Sequence, residues 1–422
     1  MSMDKKRWII LVLQIIIGLA TMFVYFLANL VGPLHAEKGW SIGSMMFVFT
    51  AMMWVSPLAM MIGGKLRDKI GSRLLIIMVG IFYGVSICVS VLFSHVFGFI
   101  LFGGLFAAFA MFAIYVAQLS NIGMLFPDKR GFAMGLLNAG TGLGLAAITM
   151  PVVFLIDRMS IVPAVIILGV VMGGITVLCG IFAIDPPVGY KPAGWDPNKN
   201  ENLQRISEGK NYTWIEMIKT PTFFFLLFGL IGLQIGGMAI SANVAEMAKN
   251  ALGVTDIGGG VYATLASAAS GFGGLIVGTI ADRLGTSKTM GVFAAFSLLA
   301  ALLYVTVGEG KPFFFGLVVV AMMVGYVGQA VVMSVGTMNI FGEKNFGFNM
   351  GVVGISGLLA SLIGPQVAGN AGVTQTILVG GIAAACSVVL AILLGRSMKA
   401  LVAKEQAEAA AAEPVVEPSE EA

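Results

Sequence analysis

Charge is scarce in this chain. Only 11% of its 422 residues are Asp, Glu, Lys or Arg, and the net charge is +3. That excludes a polar shell around a water-soluble core and leaves no basic footprint for nucleic acid. Cysteine is scarcer still: Cys88, Cys179 and Cys386 each stand alone inside an apolar run, so neither a disulfide framework nor a thiolate cluster is expected. The two histidines, His35 and His95, lie near the ends of apolar runs without ligand spacing, and no metal or other cofactor is expected. Also missing are a nucleophile paired with a base and a phosphate-binding glycine loop, so an enzyme is not expected.

Apolar side chains fill the chain instead. They make up 58% of it, with a mean hydropathy of +0.96, which places it in a bilayer. A membrane helix needs ~20 apolar residues, and twelve such runs are found, at 8–32, 43–63, 74–93, 97–124, 132–156, 162–184, 221–245, 258–281, 288–307, 312–336, 347–367 and 373–395. With both termini on the cytoplasmic side, twenty Lys and Arg fall in cytoplasmic loops and only Lys38, Arg158, Lys249 and Lys311 in the others, as the positive-inside rule requires.

Polar stretches divide the chain. Residues 185–220 are rich in Pro, Gly, Asn and charge and read as a cytoplasmic linker between a six-helix bundle at 1–184 and another at 221–395. Within the linker, Trp214–Ile218 reads as a short interfacial helix. The Ala- and Glu-rich tail, 396–422, reads as disordered.

The two halves repeat each other. Gly64-Lys65-Leu66-Arg67-Asp68-Lys69-Ile70-Gly71, after span two, recurs 214 positions later as Gly278-Thr279-Ile280-Ala281-Asp282-Arg283-Leu284-Gly285. A second loop, Phe126-Pro127-Asp128-Lys129-Arg130-Gly131, resembles Phe341-Gly342-Glu343-Lys344-Asn345 at almost the same offset. Halves with an even number of spans are related as parallel repeats. In each first loop the glycine permits close helix approach, and the aspartate can accept from N–H groups at a facing helix N-terminus. Gly64, Asp68, Arg73, Asp128, Arg130, Asp282 and Arg283 are therefore expected to latch the halves on the cytoplasmic side. Glycines crowd spans five and eleven, from Gly135 to Gly144 and from Gly351 to Gly364, where tight packing and gating are expected.

The Gly-x-x-x-Asp-[Lys/Arg]-x-Gly motif after spans two and eight resembles the signature of the major facilitator superfamily. More narrowly, Phe126–Gly131, the linker's Pro186–Trp195 and Gly364-Pro365-Gln366-Val367-Ala368-Gly369 are similar to motifs of the oxalate:formate antiporter family and its lactate-transporter relatives. The resemblance implies an all-α membrane protein with twelve transmembrane helices in two pseudo-symmetric bundles, transporting by alternating access in a bacterial inner membrane. It also implies a carboxylate-binding arginine eight residues before the aspartate of span eight and a lysine in span eleven. This chain has Gly274 and Val353 there.

Substrate contacts are expected near mid-membrane on pore-facing spans. Candidates are Tyr25 and Asn29 on span one, Tyr115, Gln118 and Asn121 at i, i+3 spacing on span four, Asn138, Gln234, Tyr326, Gln329 and Asn349. Gln14 and Thr21 share the span-one face, and span eight offers Ser267 and Ser270. Every charged residue falls in a loop or at a helix end, so the lining is expected to be neutral. Doubly charged oxalate is too costly for such a site. A monocarboxylate is the leading expectation, a neutral or zwitterionic solute the alternative, and a transporter-like receptor the remote one. Expected partners are a small-molecule substrate and the lipid bilayer, with a monomer permitted.

Overall fold

A computed structural model gives the conformation. It describes residues 3–187, 190–193, 195, 210–241 and 243–412; within these, the side chains of 24–26, 28, 29, 46, 49, 50, 141–153, 157, 365, 367–370 and 408–412 are not described. The described residues fold as helices joined by short turns, with no β-strand among them.

The first span is broken into α1, Met3–Ala20, and α2, Phe23–Lys38. Spans two and three form one long element, α3, Ile42–Ser90, which bends where Gly71 takes φ 80° and ψ 163°. Only glycine adopts that conformation without strain. Span four comprises α4, Val96–Gly98, a π-helical stretch Phe99–Phe106, and α5, Ala107–Leu125. Next come α6, Arg130–Arg158, and α7, Ile161–Gly180.

In the linker, α8 spans Trp214–Ile218, held by a capping box in which Thr213 and Glu216 satisfy each other's backbone N–H groups. The second half follows as α9, Pro221–Ser241, α10, Val244–Leu252, and α11, Asp256–Leu284. Then come α12, Thr286–Leu303, with a π-helical end to Gly308, α13, Pro312–Phe341, α14, Phe346–Asn370, and α15, Val373–Ala412. Gly285, between α11 and α12, takes φ 78° and ψ 169°, almost the dihedrals of Gly71 at the other copy of the motif.

Nine described helical stretches are long and apolar enough to cross a membrane. One of them, Ala51–Ser90, folds at Gly71 into two spans; the broken first span and α6 complete the twelve. Their outward faces are apolar: Trp54, Leu58 and Ile62, at i, i+4 and i+8, are each more than half exposed, and only lipid covers such a stripe. Two expectations need correction. The tail is helical as far as Ala412, because Ala and Glu continue α15 without a stop signal; residues 413–422 lie outside the described ones. Span seven ends at Ser241, and α10 is a separate amphipathic helix after it.

Candidate functional site

A cavity of about 510 Å³ lies between the halves. The N-terminal half contributes the break between α1 and α2 together with α3, α5 and α6, through Thr21, Ser56, Tyr115, Gln118 and Asn138; the C-terminal half contributes α9, α11, α13 and α14 through Gln234, Ser267, Ser270, Tyr326, Gln329 and Gly357. No described lining residue is charged. The undescribed side chains of the neighbouring helices, such as 24–29 and 141–153, include no Lys, Arg or His.

Six expected contact residues are brought together here. The Tyr115 hydroxyl donates to Asn138 Oδ1 at 2.8 Å, and Asn138 Nδ2 donates to the Met134 carbonyl at 2.8 Å. Gln118 Nε2 donates to the Gln14 carbonyl at 2.6 Å. Gln234 Nε2 donates to the Leu230 carbonyl and to Ser356 Oγ, both at 3.3 Å, and Gln329 Nε2 points to Met333 Sδ at 3.5 Å. The Tyr326 hydroxyl has no hydrogen-bond partner among the described residues.

Two candidates are not at the cavity. Asn121 is fully buried one turn along α5 from Gln118, accepting from Gln14 Nε2 at 3.2 Å and donating to Asp185 Oδ1 at 2.9 Å. Asn349 is equally buried and donates to the Tyr212 carbonyl at 2.9 Å, tying α14 to the linker, while its Oδ1 has no partner among the described residues. The Asn121 amide settles where it finds partners, because a buried amide without one is costly. Tyr25 and Asn29 lie among the residues whose side chains are not described.

Sequence reasoning missed two features of the lining. Seven methionines, Met22, Met53, Met60, Met111, Met238, Met323 and Met333, face the cavity; the signal was the total of 26 in 422 residues. The other is the break in the first span at Thr21 and Met22. There the Tyr83 hydroxyl accepts from the Phe23 N–H at 3.2 Å and donates to the Ala20 carbonyl at 3.3 Å. A fully buried phenol thus replaces the interrupted backbone ladder, and Thr21 and Met22 turn into the cavity.

On the face where α1 begins and α15 ends, the halves are sealed together. A Cβ on Gly131 would collide with the Gly278 carbonyl oxygen, and one on Gly64 with the Gly347 backbone, so α6 meets α11 and α3 meets α14 at backbone contact. Asp282 accepts from the Gly131 and Phe132 N–H groups at 2.6 and 2.8 Å, an anion on the N-terminus of α6. Arg130, buried, ion-pairs with Glu343 and donates to Asn339 Oδ1 at 2.8 Å, both across the halves. The cavity extends the other way, toward Ser241, Val244 and Ala263 near the opposite ends of α9, α10 and α11.

The remaining latch residues do not bridge the halves among the described residues. Asp68 instead pairs with its neighbour Arg67 at 3.3 Å, within its own half. Asp128 takes Arg7 at 2.5 Å within its own half. Arg73 and Arg283 are exposed and form no described ion pair. Asp185 caps the second limb of α3 by accepting from the Ser72 N–H at 2.8 Å, and pairs with Arg67 at 3.0 Å. Burial pushes its carboxyl up, but Arg67 and the hydrogen bonds from Ser72 and Asn121 outweigh burial and leave it below the usual carboxylate range.

The model of the Major Facilitator Superfamily matches residues 13–365. The chain belongs to that superfamily, and it is a transporter. It is 23% identical over 421 residues to the oxalate:formate antiporter of Oxalobacter formigenes, covering 94% of each chain. It is 22% identical over 352 residues to the uncharacterised transporter YhjX of Escherichia coli K12, covering 83% of this chain and 84% of that one. Among solved structures, the fucose:proton symporter of E. coli superposes with a TM-score of 0.66 at 14% identity, over 92% of this chain and 99% of that one. Within this facilitator fold Gly274 packs against the Gly135 carbonyl and Asn138 across the halves. Val353 is fully buried in the core. Neither position presents a cation to the cavity.

Proposed function

We propose that the transporter moves a small monocarboxylic acid by alternating access, rocking its two halves about the central cavity. The observation that carries this reading is a neutral, hydrogen-bonding cavity walled by both halves and sealed on one face by contacts that a rocking motion would break. Similarity to a relative named as an oxalate:formate antiporter supports an organic acid. The absence of any described charged residue in the lining weighs against a dianion, because two close negative charges cannot be desolvated without cations. The loops that the sequence places on the side of the sealed face hold most of the chain's Lys and Arg, which supports placing that face and both termini in the cytoplasm of a bacterial inner membrane. Asp282 with the N-terminus of α6, and Arg130 with Glu343, form the latch.

Uptake in proteoliposomes tests the reading with lactate, pyruvate, formate and oxalate. Uptake of a monocarboxylate and indifference to oxalate are expected; indifference to every monocarboxylate would remove the substrate assignment. A neutral or zwitterionic solute is the second reading, favoured by the uncharged Gly274 and Val353, and competition by uncharged analogues would reveal it.

A further inference from the structure

We infer that the solute occupies this cavity as the neutral, protonated acid, with an apolar body against the methionines, so that it carries its own proton across. The inference rests on the monocarboxylate reading above. Its basis is which way the polar groups of the lining face.

The hydroxyls of Ser56, Ser241, Ser267 and Ser270 all donate to backbone carbonyls of their own helices, at 3.0 to 3.2 Å. Thr21 does the same at 3.1 Å. These groups spend their protons on the protein and turn oxygen lone pairs toward the solute. Gln234 commits both of its amide N–H groups to protein acceptors, and Gln118, Asn138 and Gln329 each commit at least one of two. Tyr326 alone offers an uncommitted hydroxyl. A cavity rich in hydroxyl acceptors and thioethers, with few spare donors and no described cation, suits a solute that donates one proton and accepts one.

A carboxylate has only lone pairs to offer and would meet the lone pairs of five hydroxyls with no described cation beside them. A carboxylic acid donates its O–H to a serine or amide oxygen and accepts at its carbonyl from Tyr326. Protonating an acid that titrates near a glutamate, ~4.3, forfeits a factor of about 500 in affinity at pH 7. Burying an unpaired ionised carboxylate costs more, which is why buried acids neutralise. The titratable groups on the lining are the phenols of Tyr115 and Tyr326; beside Val244, Glu246 is paired with Lys249 at 2.6 Å. Among the described residues no lining carboxylate is available to relay the proton. The balance is simple: the anion takes one proton from the medium on one face, crosses as the acid, and releases that proton on the other.

Size points the same way. At ~30 Å³ per water, the cavity's 510 Å³ holds on the order of 17 waters. Formate fills little of it, whereas the polarizable methionines adapt to an aliphatic chain.

The test is calorimetric binding to purified protein of 3-methylbutanoate, acetate and 3-methylbutanamide, between about pH 5.5 and 7.5. The apparent Kd of the acid should rise about tenfold per pH unit, following its neutral fraction, while that of the amide stays constant. Acetate, three carbons shorter, should bind about 60-fold more weakly, at roughly fourfold per methylene. An acid affinity independent of pH would overturn the inference and leave the monocarboxylate reading standing. An amide that binds while the acid does not at any pH would overturn both in favour of a neutral solute, and failure of all three ligands would overturn both as well.

Discussion

Replacing Asp282 by Ala should open the sealed face. Its carboxylate accepts two N–H groups of α6 across the halves, and a hydrogen bond to a charged group is worth ~1.5–3 kcal/mol. Some of that is recovered when water enters, so about 3 kcal/mol is expected for the pair. At 1.36 kcal/mol per tenfold, the closed-to-open ratio falls about 150-fold. A population at 10:1 closed would become roughly 1:15, a change too large to miss. Arg73 and Arg283 are exposed on that face in opposite halves, so spin labels at Arg73→Cys and Arg283→Cys report its width. The three native cysteines are replaced first. Double electron–electron resonance should show the long-distance population becoming dominant in Asp282→Ala. An unchanged distance distribution in folded protein would refute the assignment of Asp282 as a latch.

Gly278→Ala should act in the same direction, because its Cβ would collide with the Gly131 carbonyl and backbone cannot yield cheaply; the same spin labels would read it. Tyr326→Phe should weaken solute binding about two- to thirteenfold, the equivalent of ~0.5–1.5 kcal/mol for one hydrogen bond, with calorimetry as the check. Asn121→Ala leaves its partners Gln14 and Asp185 without it and should lower stability by ~1–3 kcal/mol without changing solute affinity, which thermal melts and binding together would show. Asp185 has a depressed pKa, so its stabilisation is present above the ordinary carboxylate range and lost as pH falls through the folded-state value. Asp185→Asn should therefore melt earlier at neutral pH and show a smaller further loss on acidification.

The fold was legible because its signals are long and repeated. Twelve apolar runs and a motif at one fixed offset leave few architectures, and Gly71 and Gly285 share one backbone conformation for that reason. The contacts across the sealed face were legible in kind but not in place. Both copies carry the aspartate, yet among the described residues only Asp282 reaches the opposite half, while Asp68 is taken up by its neighbour Arg67. One residue of the three-residue polar stripe was misleading: i, i+3 spacing puts Tyr115, Gln118 and Asn121 on neighbouring faces, but only the first two line the cavity, and Asn121, a turn further along, meets Gln14 and Asp185. The methionines were invisible because a methionine on an apolar helix looks the same facing lipid, core or solute. Tyr83, which splints the broken first span, lies some sixty residues away in sequence, and no local pattern announces such a contact.

Cross-linking tests the rocking of the two halves most directly. Arg130→Cys and Glu343→Cys, which face each other across the sealed face, would be joined by a reducible bis-thiol reagent in proteoliposomes. Uptake should stop on cross-linking and return on reduction, while solute binding persists throughout. Transport that continues with the halves joined would contradict the account.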